Sequence, residues 1–61
     1  MTARLVRQIA EDLLDRAPFT VEDYGSAETF ARDLMMEARD ELRRLSDDEW
    51  HYLYHILQGG E

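Results

Sequence analysis

His51 and His55 stand four residues apart, and Asp48 precedes the first of them by three. On a helix that spacing puts all three side chains on one polar strip, and two imidazoles at i,i+4 with a nearby carboxylate are a donor set that zinc accepts. The zinc-protease pattern H-E-x-x-H carries its general base between the two histidines. Here Tyr52, Leu53 and Tyr54 fill that interval, so no base is supplied. The strip reads as a solvated edge beside a core. Asp48, His51 and His55 are the weak metal candidates of the chain, and no cofactor is expected.

Other reactive groups are few. The chain has no cysteine, which removes thiolate nucleophiles, disulfides and sulfur-ligated metals. All seven basic residues are arginine, so there is no amine for a Schiff base, and the three glycines do not form a phosphate-binding loop. Fourteen carboxylates are present, yet none is forced by its spacing into the desolvated pair that acid–base hydrolysis needs. The expectation is a protein without catalytic residues.

The elements that would carry these side chains are helical. Sixty-one residues make one domain at most, and a chain of that size buries only about 60% of its unfolded surface. At about 100° per residue, Leu5, Val6, Ile9, Ala10, Leu13, Leu14 and Ala17 fall on one half of a first helix, from about residue 2 to 17, which Pro18 ends. Thr20, with Asp23 three positions on, opens a short turn over about residues 20 to 24, and Phe19 packs on Tyr24 as a hydrophobic staple. Gly25 breaks the turn and Ser26 caps a second helix, about 27 to 45, with Glu28–Arg32 and Asp40–Arg44 as i,i+4 ion pairs. Ser46 and Glu49 form a capping box for a third helix, about 47 to 58; Leu45 and Trp50 staple its entry, and Gly59 and Gly60 stop it. These elements predict an all-α fold, a compact three-helix bundle with a short extra helical turn between helices 1 and 2, and a buried Trp50.

No apolar run approaches the roughly 20 residues that cross a bilayer. The opening MTARLVRQIAEDLLDRA has acids where a secretory leader is uninterruptedly apolar. A soluble, cytoplasmic protein is expected, with no membrane partner. Lysine and asparagine, whose codons are AT-rich, are both absent, which suggests a high-GC genome of bacterial or phage origin.

The net charge of −7 invites comparison with a nucleic-acid mimic. Most of the excess acid, however, lies at Glu22, Asp23, Glu28, Asp47, Asp48 and Glu49, in first turns where carboxylates complement the helix dipole, with Glu61 at the end of the chain. Direct binding to nucleic acid is not expected either. The run TVEDYGSAETFARDL resembles a helix-turn-helix core, with Val21, Gly25, Ser26, Ala31 and Leu34 at suitable places. Its recognition helix would offer Glu28, Thr29 and Arg32 to phosphates that call for basic side chains.

What capping and solvation leave over is apolar surface. Helix 1 and helix 3 are apolar around about half their circumference, more than the stripe one small core hides. Val6, Ala10 and Leu14 on helix 1, and Tyr52 and Ile56 on helix 3, are the expected edge residues. Met36 lies out of register in a ridge Arg32, Met36, Arg39, Arg43 on the polar side of helix 2, and a thioether among guanidiniums suits a contact surface. These nine residues form the expected partner interface. In type, a small, acidic, cysteine-free helical chain is similar to the inhibitor proteins that phages of high-GC bacteria encode; no motif carries that likeness. The expected function is a homodimeric module that binds and blocks or regulates another protein, and the alternative is a small transcriptional regulator or antitoxin-like DNA-binding module with an atypical helix-turn-helix.

Overall fold

The computed structural model describes residues 3–59. Among these it contains four helices and no strand: α1 (Ala3–Arg16), α2 (Ala27–Glu37), α3 (Arg39–Leu42) and α4 (Asp47–Leu57), with a 3-10 turn over Val21–Asp23. The expected helix start at Thr2, the second stop glycine Gly60 and the acid Glu61 lie outside the described residues.

The local signals act where they stand in the chain. The Ser46 hydroxyl accepts from the Glu49 N–H (3.3 Å), and the Glu49 carboxylate accepts in return from the Ser46 N–H (2.8 Å), which satisfies two of the helix start's orphan donors. Ser26 caps α2 through the Thr29 N–H (3.2 Å). Before the 3-10 turn, the Asp23 carboxylate accepts from the Thr20 N–H (3.1 Å). Gly59 ends α4 with φ of +88°, a conformation that costs glycine little.

Helix 2 departs from its expected course. The segment expected as one helix to Leu45 is interrupted at Ala38 (φ −102°, ψ 15°), and the N–H groups of Glu41 and Leu42 both return to the Ala38 carbonyl to start a new turn. No proline or glycine marks the place. The reason lies in length: nineteen straight residues would extend about 28 Å, against about 21 Å for α1 and 16 Å for α4. The break turns Leu42 back into the core and Leu45 against it. Because α3 stops at Leu42, Asp40 and Arg44 no longer share a helix face, and neither that ion pair nor Glu28–Arg32 is closed among the described residues.

The core is formed by Val6, Ala10 and Leu13 of α1, Phe30, Ala31, Leu34 and Met35 of α2, then Ala38, Leu42, and Leu53 and Leu57 of α4. Among the described residues, no polar or charged side chain is buried with it. The central helix is α4, which packs on both α1 and α2. Its C-terminal end shares a groove with the C-terminal end of α1 and the start of α2, while Trp50 and Tyr54 meet Met35 and Met36 near the end of α2. α4 therefore runs antiparallel to α2.

Two expectations about edges are corrected by this arrangement. Val6 and Ala10 are each 1% exposed and belong to the core, whereas the true edges of α1 are Leu5 (47%) and Leu14 (44%). Val6, Ala10 and Leu13 fall within about 60° of one another, with Leu5 and Leu14 about 100° and 80° to either side of Val6. Tyr52 and Ile56 are half-buried against the core. A helix packed on two sides needs a wider apolar arc than one packed on a single neighbour, so much of the breadth of α4 is consumed by folding.

Candidate functional site

Asp48, His51 and His55 are all exposed on α4. Among the described residues, no three histidine, cysteine, aspartate or glutamate side chains are brought together so as to hold a metal ion. The reason is geometric: three residues spread over i, i+3 and i+7 of one straight helix need a donor from another element to enclose an ion, and none is supplied beside them.

What the fold does assemble is a cleft of about 240 Å³ between α2 and α4, lined by Arg32, Met35, Met36, Trp50, His51 and Tyr54. Met36 is half exposed (50%) at its mouth. Trp50 and Tyr54 are half-buried against the core, four residues apart on the side of α4 that faces α2. Trp50 is thus a wall of the cleft, and the fully buried residue of α4 is Leu53. The helix wheel admits either, but a bulky indole is accommodated at the rim of so small a core more readily than at its centre.

Sequence reasoning found Arg32 and Met36 and grouped them with Arg39 and Arg43. The fold separates those pairs, because the interruption at Ala38 falls between Met36 and Arg39. It joins Arg32 and Met36 instead to Trp50, His51 and Tyr54, which the sequence treated as a staple, a metal candidate and one of the residues between the histidines. The signal that would have linked them is the antiparallel pairing of α2 with α4, a tertiary fact.

A second cluster also escaped notice as a unit. Phe19, Tyr24 and Phe30 form a triangle of rings, with centroids 5.4 Å apart for Phe19–Tyr24, 5.8 Å for Phe19–Phe30 and 6.1 Å for Tyr24–Phe30. The Phe19–Phe30 pair is edge-to-face, a favoured aromatic geometry. Asp33's carboxylate, facing the Tyr24 hydroxyl, is the main cause that pushes this phenol above its ordinary value.

Electrostatics contribute at the surface. Arg16, in the last turn of α1, bridges Asp12 (3.0 Å) and reaches Glu41 of α3 through both guanidinium nitrogens (3.0 and 3.3 Å). This fork ties α1 to the segment beyond the Ala38 break. The Arg16 hydrogen bond holds the Glu41 carboxyl below its ordinary value, and the Ser46 N–H does the same for Glu49. A carboxyl depressed in the folded state contributes stability that is present above its unfolded pKa and lost as pH falls through its folded one. The stability advantage of wild type over Glu41→Gln is therefore expected to be present at neutral pH, small because both partners are exposed, and to vanish as Glu41 protonates. Urea midpoints of the two proteins across an acid series measure it; an advantage that grows on acidification would contradict the assignment.

The segment that resembles a helix-turn-helix places only the three-residue 3-10 turn before α2, where such a motif has its first helix. Among the described residues, no helix is long and apolar enough to cross a membrane. Over the described residues the molecule is thus a helical bundle with an apolar core and an aromatic, methionine-bearing surface cleft. Comparison with protein-family models, with curated proteins and with solved structures finds no match to this chain.

Proposed function

We propose that this chain is a non-enzymatic, cytoplasmic protein-interaction module that pairs with its own copy and binds another protein to block or regulate it. An inhibitor encoded by a phage or mobile element suits its size, acidity and simple core. The observation that carries the reading is the cleft between α2 and α4: Met36 is exposed above Trp50 and Tyr54, with Arg32 and His51 at its rim. Tryptophan, tyrosine and arginine are the residues enriched where binding energy concentrates, and methionine adapts its shape to a partner.

The test uses Met36→Asp, a change at an exposed position that leaves the core untouched. Sedimentation equilibrium at micromolar concentration is expected to show a dimer for wild type, and about a tenfold weaker one for the variant, equivalent to ~1.4 kcal/mol. Affinity capture with the two proteins in parallel, from cells of the source organism, is expected to retain a partner on wild type that the variant loses. A strictly monomeric wild type would remove the homodimer, and identical capture by both proteins would remove the cleft as the binding site.

A further inference from the structure

At the other end of α4 lies a second, larger groove that the cleft does not use. It has a volume of about 370 Å³ and lies between Leu14 at the end of α1, Phe19 and Val21 of the following link, Ala27 and Phe30 at the start of α2 and Gly59 at the end of α4. Its floor is formed by Phe19 and Phe30, packed edge-to-face and backed by Tyr24. Its lips are Leu14 and Val21, each 44% exposed, two of the few large apolar side chains that the described residues leave in solvent. Folding accounts for the floor and leaves the lips without a role.

The charged residues that directly follow its lining residues in the chain are acidic. Asp15 follows Leu14, Glu22 follows Val21 and Glu28 follows Ala27; all three are exposed, and none is in an ion pair among the described residues. Beyond Leu14 the outer face of α1 continues with Gln8, Glu11, Asp12 and Asp15 around a shallow depression. Of the two arginines nearest in sequence, Arg16 is engaged with Asp12 and Glu41, and Arg32 lines the separate cleft beside Trp50. A second copy of this chain seated in the same groove on both sides would bring these carboxylates against their own counterparts, an arrangement that like-charge repulsion opposes. An apolar trough with an acidic rim instead complements a segment that is apolar on one face and cationic on the other.

We propose that this groove docks a basic amphipathic helix of a partner protein, with aliphatic anchors between Leu14 and Val21 over the Phe19–Phe30 floor and arginine or lysine against Glu22 and Glu28. Helix-in-groove recognition takes this form, with anchors at helical spacing supplying the apolar contact and charge supplying orientation and encounter rate. The inference rests on the proposed role only in taking the occupant to be protein. It does not involve Met36, so the two fail separately.

The probe is a synthetic amphipathic helix of about 18 residues with leucine on one face at i, i+3, i+4 and i+7 spacing and lysine elsewhere, titrated into the whole chain. A control peptide keeps the leucines and replaces lysine with glutamate. The lysine peptide is expected to bind and to shift the amide resonances of Leu14, Val21, Phe30 and Gly59. Its affinity should fall about tenfold in a Leu14→Ser/Val21→Ser double variant, fall with added salt and in Glu22→Gln/Glu28→Gln, and be unchanged in Met36→Asp. Because Leu14 and Val21 are substantially exposed, the double variant keeps its core, and the Glu→Gln pair tests the rim with no apolar change. The proposal is overturned if neither peptide binds, if both bind alike, if the shifts map elsewhere, or if the charge variants weaken binding while the Leu14→Ser/Val21→Ser variant does not. Loss of wild-type dimerisation in that double variant would also overturn it, by assigning the groove to a second copy.

Discussion

Leu53→Ala is expected to leave this protein largely unfolded at modest temperature, through a loss of about 2–5 kcal/mol. Leu53 is 0% exposed on α4 and sits where that helix is packed between α1 and α2. Truncation removes the burial of the isobutyl group and leaves a cavity that three helices must close together. For a chain of this length the total margin is about 3–9 kcal/mol, taking roughly 0.05–0.15 per residue, so one such cavity consumes a large share of it. Thermal melts followed by far-UV circular dichroism should show the midpoint falling by more than about 10 °C, at about 4–8 °C per kcal/mol for small domains. A variant that melts within a few degrees of wild type would mean that α4 presents a different face to its neighbours.

Phe30→Ala carries the second large effect, about 3–5 kcal/mol. Phe30 is buried, and its ring is the member of the triangle that belongs to α2, so its removal detaches the 3-10 turn and the end of the first link from the core. Aromatic pairs contribute about 0.5–1.5 kcal/mol beyond the area they bury. A double-mutant cycle with Phe19→Ala should therefore give a coupling energy clearly above zero, and the near-UV signal of Tyr24 should weaken in Phe30→Ala alone. Strict additivity in the cycle would show that the rings touch without supporting one another. Trp50→Ala makes a useful contrast: from sequence it was expected to cost as much as any buried aromatic, but as the half-buried wall of a cleft it should cost less than Phe30→Ala and act more on association than on folding.

The parts of the fold that were legible beforehand are those encoded within a few residues. Ser46 and Glu49 lie three apart, and their reciprocal hydrogen bonds form whatever surrounds them. The same holds for Thr20 with Asp23, for Ser26 at the start of α2 and for Gly59 at the end of α4. Pro18 closes α1 by local sterics. The all-helical class followed from these signals and from apolar spacing, and the Phe19–Tyr24 staple was visible because its two residues flank one turn.

The candidate sites were not visible in that way. Periodicity told which half of α1 is apolar, but an arc of about 180° does not say which part of it faces inward, and the answer, Val6, Ala10 and Leu13, depends on how closely α4 approaches. Nothing local marks the interruption at Ala38, which reflects the mismatch between a long second helix and two shorter neighbours. Met36 stood out in the chain as a misplaced methionine, yet its neighbours Trp50, His51 and Tyr54 come from a helix more than ten residues away. Capping and turn chemistry are short-range and fix the elements one at a time. Burial is shared among elements, so which side chains meet in a cleft, and which lips are left in water, is settled when the helices pack and not before.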